Sequence, residues 1–431
     1  MTLKRDTNVA ISQKIKSNYT RILNTELKMA LGCTEPIAIA YCAAYARKIL
    51  GKAPERYVVY CSGNIIKNVK AVTVPKTGGL KGIQAAALAG GIGGDADAEL
   101  RVLESLTDED RAKIRSACAQ DIVEVKLLES GHALHIIIHV FAGEDEASVE
   151  IIDNHTGIGR VERNGEVLHE RRDEVAEQDE AYTSLNIADI LEYAKEVELG
   201  DIRDCLLRQI QCNGAIAREG LKNIYGAGIG PILMKNAGES LREQAMATAA
   251  AASDARMNGC AMPVVINSGS GNQGITVSVP VLVFAQDMQA DEETLLRALC
   301  VANLVAIHQK TGIGKLSAFC GATCAAAGAV AGIAFMRGED YEVIAQLVSN
   351  ALATVGGMIC DGAKSSCAGK IAVALDAAFL GYEAAKQQRS YKNGEGIVHE
   401  SVEGTIDSIG RIASKGMYST DIEILNIMLE N

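Results

Sequence analysis

Three cysteines constrain this chain more than any other feature. They are Cys320, Cys360 and Cys367, spaced forty and then seven residues apart within Phe319–Lys370. Between the first two lie two segments of helical composition, Gly321–Met336 and Tyr341–Val355, joined by the charged turn Arg337-Gly338-Glu339-Asp340. Each rises about 24 Å at 1.5 Å per residue, so a helical hairpin carries the chain out and back by nearly the same distance. Cys360 is therefore expected beside Cys320. An unbroken helix would hold Cys367 about 10.5 Å along its axis from Cys360, too far to share one small inorganic centre. Gly356-Gly357 and Gly362 let the backbone leave helical geometry there. The expectation is a loop wrapped around a centre and left into a further helix. Three thiolates in a reducing compartment suit an iron–sulfur cluster or zinc. No cysteine follows Cys367 to supply an obvious fourth ligand. On spacing alone Cys324, one helical turn past Cys320, is as well placed as Cys320.

With 431 residues, 48% hydrophobic and 22% charged, the chain can bury a large core. A net charge of −12 without clustered Lys or Arg argues against a nucleic-acid surface. Twelve cysteines are too sparse for a disulfide scaffold, and Met1–Asp6 opens no apolar run of signal-peptide length, so a reducing cytoplasm is the expected setting. Leu316–Met336 is uncharged over twenty-one residues but is rich in Ala and Gly; Met257–Gln286 is broken by Pro263 and Pro280. Both read as interior and not as membrane spans.

In chain order, Thr7–Gly51 reads as helical, with an apolar face of Ile22, Leu23, Leu27, Met29 and Ala30 that stops at Leu31-Gly32-Cys33. A second helix is expected from about Pro36. Cys33 then sits next to a helix N-terminus, where amide donors and the dipole can stabilise a thiolate. A buried structural thiol is the commoner fate of such a residue. Strand signals at Tyr57–Tyr60, Ile122–Leu128, Ala133–Phe141 and Val149–Asp153, with a hairpin at Arg163-Asn164-Gly165-Glu166 and helices at Gly78–Gly94 and Glu104–Ala119, outline a small α/β unit. Of His132, His135 and His139 only the last two share a strand face, and no HExxH motif or carboxylate completes a zinc set, so they read as ordinary strand histidines. Arg171–Glu180 reads as a connection, Ile202–Asn213 as a helix with Asn213-Gly214 at its C-cap, and Ile422–Leu429 as part of a closing core helix.

Gly269-Ser270-Gly271-Asn272-Gln273-Gly274 satisfies GxGxxG, but Ile275–Val279 is β-branched and Pro280 follows, which argues against the helix that a dinucleotide fingerprint needs. A loop of Ser270, Asn272, Gln273 and open amides suits an amino-acid carboxylate better. Thr311–Leu316 fails as a phosphate loop. Lys315 and Lys364 keep a pyridoxal-phosphate Schiff base in view as a rival route to amino-acid elimination.

The cysteine spacing, the run Gly357-Met358-Ile359-Cys360-Asp361-Gly362-Ala363-Lys364, the motif Leu31-Gly32-Cys33-Thr34-Glu35-Pro36 and the 269–274 loop together resemble the L-cysteine desulfidase family, relatives of the iron–sulfur L-serine dehydratase alpha chain. The resemblance runs almost end to end. It implies a [4Fe-4S] cluster on Cys320, Cys360 and Cys367, choosing Cys320 over Cys324, with one iron open. It also implies Cys33 as catalytic base and the Ser270, Asn272 and Gln273 loop in the active-site region. The implied fold is α+β: an α-helical catalytic domain from 1–54 and 176–431, with an inserted smaller α/β domain at 55–175. The implied activity is β-elimination of L-cysteine to pyruvate, hydrogen sulfide and ammonia, in an oxygen-sensitive enzyme. L-Serine dehydration, a zinc-bound structural module and a cluster-carrying redox sensor stay open, as does a homodimer. The expected partner is a small amino-acid substrate, with neither nucleic acid nor membrane.

Overall fold

In a computed structural model of the protein, which describes residues 11–171, 179–314 and 316–430, the N-terminal apolar pattern becomes two helices flanking a short strand. Lys315 and most of the Arg171–Glu180 connection lie outside the described residues. Helix α1 (Gln13–Glu26) opens at Ser12, whose hydroxyl accepts from Ile15 N, and buries Tyr19, Ile22 and Leu23. Met29 and Ala30, expected on that helical face, form β1 (Met29–Leu31) instead. Helix α2 (Thr34–Leu50) starts two residues before Pro36, with Cys33 at its N-cap. It is buried on almost every side, as an interior helix must be when it is apolar all round.

What covers α2 is the sheet. After β2 (Arg56–Cys61), α3 (Gly63–Val69), α4 (Gly82–Gly93) and α5 (Asp108–Cys118) come β3 (Val123–Leu127), β4 (His135–Ala142), β5 (Asp145–Ile152), β6 (Ile158–Arg163) and β7 (Glu166–Glu170). The strand order is β3-β2-β4-β5-β6-β7, parallel only between β2 and β3. Strand β4 alternates strictly: Ile136, Ile138 and Val140 are fully buried while His135, Ile137 and His139 stay half-buried on the outer face. Each histidine has its own carboxylate, His132 with Asp153 (2.8 Å), His135 with Glu150 (2.7 Å) and His139 with Glu146 (2.7 Å). They are separate pairs, as ordinary strand histidines would be.

The rest is helical: α6 (Glu180–Thr183), α7 (Ile187–Glu196), α8 (Arg203–Lys222), α9 (Ile229–Ala237) and α10 (Leu241–Met257), then β8 (Pro263–Val265), α11 (Gly271–Asp287), α12 (Glu292–Thr311), α13 (Ala322–Met336), α14 (Tyr341–Val355), α15 (Cys367–Lys386), α16 (Val402–Arg411) and α17 (Tyr418–Glu430). The fold is thus α+β, mostly helical with a smaller α/β region, as expected. Helix α14 has the expected bounds and α13 starts one residue later than expected, with Gly321 as its N-cap; α14 is capped by Asp340 through Val343 N. The uncharged α13 is interior, and no helix of the described residues is long and apolar enough to cross a membrane.

Three further local expectations fail. Ile275–Val279 is not extended: α11 runs through it and through Pro280, because Ile275, Val277, Val279 and Val281 are all buried and tertiary packing outweighs β-branched propensity. A helix therefore does follow the glycine loop. It still makes no dinucleotide fold, since among the described residues the strand before that loop, β8, pairs only with β1, antiparallel, and takes part in no parallel crossover. Asn213 is no C-cap but sits inside α8, where the two protons of its amide nitrogen are shared among Val265 O (3.1 Å), Gly274 O (3.0 Å) and Ser278 Oγ (3.0 Å) and its oxygen accepts from Val265 N (2.8 Å). Helix α17 lies on the surface against α3, with Asp421 ion-paired to the buried Lys67.

Candidate active site

The β1–β8 pair closes the site. Met29, Ala30 and Leu31 stand opposite Val265, Val264 and Pro263, and Ile266 N extends the ladder to Lys28 O at 2.9 Å. The two chains leave this pair as Gly32-Cys33 on one side and the 267–273 loop on the other. Thr34 Oγ1 then lies 3.0 Å from Gly269 O and 3.1 Å from Glu35 Oε2, with one proton to share between them. Two helix N-termini, those of α2 and α11, consequently face the same space.

The cysteine loop enters from the opposite side. Phe319 and Ile359 form a β-bridge: Cys320 N donates to Met358 O (2.9 Å) and Cys360 N to Ala318 O (2.6 Å). The hairpin of α13 and α14 thus returns Cys360 beside Cys320. The backbone then turns through Gly362 at φ +95°, where a Cβ would stand 2.5 Å from Lys67 O. Cys367 opens α15, and its Sγ accepts from Lys364 N at 3.5 Å. Asp361 ties the loop down through Lys364 (3.0 Å) and Lys370. Gly362→Ala combines a left-handed backbone with a clash against main chain, so it should cost about 2 kcal/mol or more. The prediction is a lower denaturation midpoint; an unchanged midpoint would mean that the turn tolerates a side chain.

Cys33, Ser270, Asn272 and Gln273 line one cavity of about 100 Å³, and Cys320, Cys360 and Cys367 line it too. These seven residues are thus brought together, whereas the other candidates, Cys324, enclosed in α13, and Lys364, engaged with Asp361, do not line the cavity. Among the described residues no three His, Cys, Asp or Glu groups converge on a single ion position. Thiolates around a cluster are carried on separate iron atoms and stand further apart than ligands of one ion. All twelve cysteines are free. Burial first, and Cys360 next, push the Cys320 thiol up to about 12, while burial pushes Cys367 up. Three cysteines lining one cavity are a soft sulfur donor set of the kind that holds iron in a cluster, so the residues fit an iron–sulfur group.

Sequence reading missed four further lining residues: Glu35 as a working group, His155, Arg256 and Lys310. Cys33 is 3% exposed and its Sγ donates to Glu35 Oε2 at 3.0 Å. Burial, then the Glu35 charge, push this thiol well above its ordinary value against a smaller opposing pull from Arg256. The resting group is therefore the thiol, and not the thiolate that a helix N-terminus alone would favour. Burial pushes Glu35 up as well, but His155 and the Cys33 bond outweigh it and bring the carboxyl to about 2. His155 Nε2 is 3.9 Å from Glu35 Oε1, close enough for ionic attraction and too far for a hydrogen bond, which leaves that nitrogen without a hydrogen-bond partner. Lys310 is 5% exposed, and burial pushes its ammonium down against the pull of Cys324, Cys360 and Cys320.

The family model described as the serine dehydratase alpha chain matches residues 97–426. A UPF0597 protein of Lachnoclostridium phytofermentans is 48% identical over 95% of this chain and 98% of its own length. UPF0597 proteins of Desulfitobacterium hafniense (47%, 95% of this chain and 96% of that one) and Treponema denticola (44%, 98% and 100%) are similar throughout. The chain belongs to the serine dehydratase alpha-chain family, in agreement with the resemblance drawn from its motifs.

Proposed function

We propose that this member of the serine dehydratase alpha-chain family is an iron–sulfur-dependent lyase that eliminates the β-substituent of a small L-amino acid, L-cysteine first. The reaction takes L-cysteine and water to pyruvate, hydrogen sulfide and ammonia. The observation that carries the reading is the convergence of Cys33, the N-terminal loop of α11 and three cysteines on one cavity. Elimination needs those three parts: a base for the α proton, a grip on the carboxylate, and help for a poor leaving group.

Cys320, Cys360 and Cys367 would hold the group. An iron–sulfur cluster bound there supplies Lewis acidity from an iron without a protein thiolate. The chain's own residues do the rest. Glu35, kept ionised, accepts the hydrogen bond from Cys33 Sγ at 3.0 Å and orients the sulfur, but it is too weak a base to keep the proton. The reactive form is the minor Cys33 thiolate left when that proton is released to solvent as substrate enters; poorly solvated in its buried position, it is a strong base for the substrate's Cα–H, and the departing sulfide takes up a proton from solvent in turn. As that proton moves to sulfur, the electron pair of the Cα–H bond becomes the new C=C bond, and the Cβ–S pair leaves with the sulfur. The aminoacrylate tautomerises to the imine and hydrolyses in water. Glu35 and the sheltered walls hold bulk water off the base until then.

L-Serine gives the same aminoacrylate by losing water, and the family's description favours keeping it as the second reading. Anaerobically reconstituted protein supplied with each amino acid, with pyruvate as readout, ranks the two. The expected result is a higher kcat/KM for L-cysteine, with sulfide and pyruvate formed one to one. A higher kcat/KM for L-serine would move the assignment to the dehydratase; pyruvate from neither would remove the proposal.

A further inference from the structure

Arg256 is the anomaly of this cavity. It ends the Ala-rich α10, is 5% exposed, and lines the cavity, yet among the described residues no acidic side chain is paired with it. Nη1 donates to Asn272 Oδ1 (3.0 Å) and Nη2 to Gly32 O (2.8 Å), while Nε has no partner. The guanidinium lies across Gly271: a Cβ there would meet Nε at 2.3 Å and Cζ at 2.6 Å. Gly271 is the first residue of α11, a 17-residue helix. A buried cation is thus laid against the positive end of a helix dipole, beside the Gly271 and Asn272 amides that remain after Ser270 Oγ has capped Gln273 N (3.4 Å), an arrangement that is unfavourable until an anion joins it.

The neighbouring polar groups point the same way. Asn272 directs its oxygen to Arg256, and no hydrogen bond is made by its amide nitrogen among the described residues. Gln273, 6% exposed with Oε1 unpartnered, packs over Gly321 next to Cys320. Donors therefore gather at Arg256, Asn272 and the α11 amides, and they gather between Gly32, which precedes Cys33, and the cysteine loop. We propose that Arg256 with the first turn of α11 is the receptor for the substrate's α-carboxylate, which restricts the site to small α-amino acids and sets the α carbon between Cys33 and the three cysteines. The inference rests on the elimination reading for its substrate, but the receptor is testable without turnover.

L-Alanine carries the α-ammonium and α-carboxylate and has no leaving group; ethylamine lacks the carboxylate. Calorimetric titration of the reconstituted full-length protein should detect L-alanine and not ethylamine. Arg256→Gln should weaken L-alanine by about 100-fold, the scale of a lost charge-assisted, desolvated carboxylate contact, and Arg256→Lys by less. In turnover the same changes should raise KM for L-cysteine and leave cysteamine, its decarboxylated counterpart, as poor a ligand as before. Because Arg256 also braces Gly32 and Asn272, melting curves accompany each variant, and Arg256→Lys decides the matter if Arg256→Gln does not fold. Equal binding of L-alanine and ethylamine by the wild type, or wild-type L-alanine affinity in a folded Arg256 variant, overturns the receptor. Arginine-dependent L-alanine binding in a protein that makes no pyruvate from cysteine or serine upholds the receptor and rejects the elimination. Pyruvate formation with an unchanged KM in Arg256→Gln does the reverse.

Discussion

Cys320→Ser should lose bound iron and pyruvate formation together, while Cys324→Ala, one helical turn away, keeps both. Cys320 lines the cavity from the β-bridge that also positions Cys360, and the one lining cysteine outside the set, Cys33, is held by Glu35 at 3.0 Å. Cys324 is fully buried among alanines and does not line this cavity, so its truncation removes one sulfur from a packed helix at a cost of about 1 kcal/mol. Iron analysis after anaerobic reconstitution and gel filtration reads the difference directly. Retained iron in Cys320→Ser, or lost iron in Cys324→Ala, would mean that the ligand set is drawn from the wrong side of the helix start.

Cys33→Ser should show the opposite pattern: iron bound as in the wild type, L-alanine still bound, and kcat lower by about 10²- to 10⁴-fold, the range for removing a positioned base. The serine hydroxyl can keep a hydrogen bond to Glu35, but its proton is far harder to remove than a thiol's. Single-turnover assays, with iron content measured on the same samples, separate loss of the base from loss of the group. A Cys33→Ser enzyme at normal rate would pass the role of base to another lining residue, with Glu35 and His155 next in position.

The parts of this site that lie close in sequence could be read from it. The charged turn 337–340 and the Asp340 cap fixed the two hairpin helices, equal lengths returned Cys360 to Cys320, and glycines marked the turn before Cys367. The approach of Cys33 could not be read from spacing, because it depends on β1 and β8. Those strands have three residues each and lie more than two hundred residues apart, so they carry almost no periodicity. That approach was implied only by the family resemblance. Helix α11 was hidden by β-branched residues whose burial, not their propensity, decides their conformation. Arg256 was hidden more simply: a cation in the last turn of a helix looks like a partner for the dipole. Only the enclosure of its guanidinium, with a free Nε over Gly271, sets it apart.

The most direct test of the account follows iron and activity through one cycle in a single preparation. The protein is reconstituted without oxygen, exposed to air, and reconstituted again, with bound iron and pyruvate formation from L-cysteine measured at each stage. Pyruvate formation that rises, falls and returns in proportion to bound iron is the predicted result. Iron-free protein turning over at the same rate, or fully loaded protein forming no pyruvate, would contradict it.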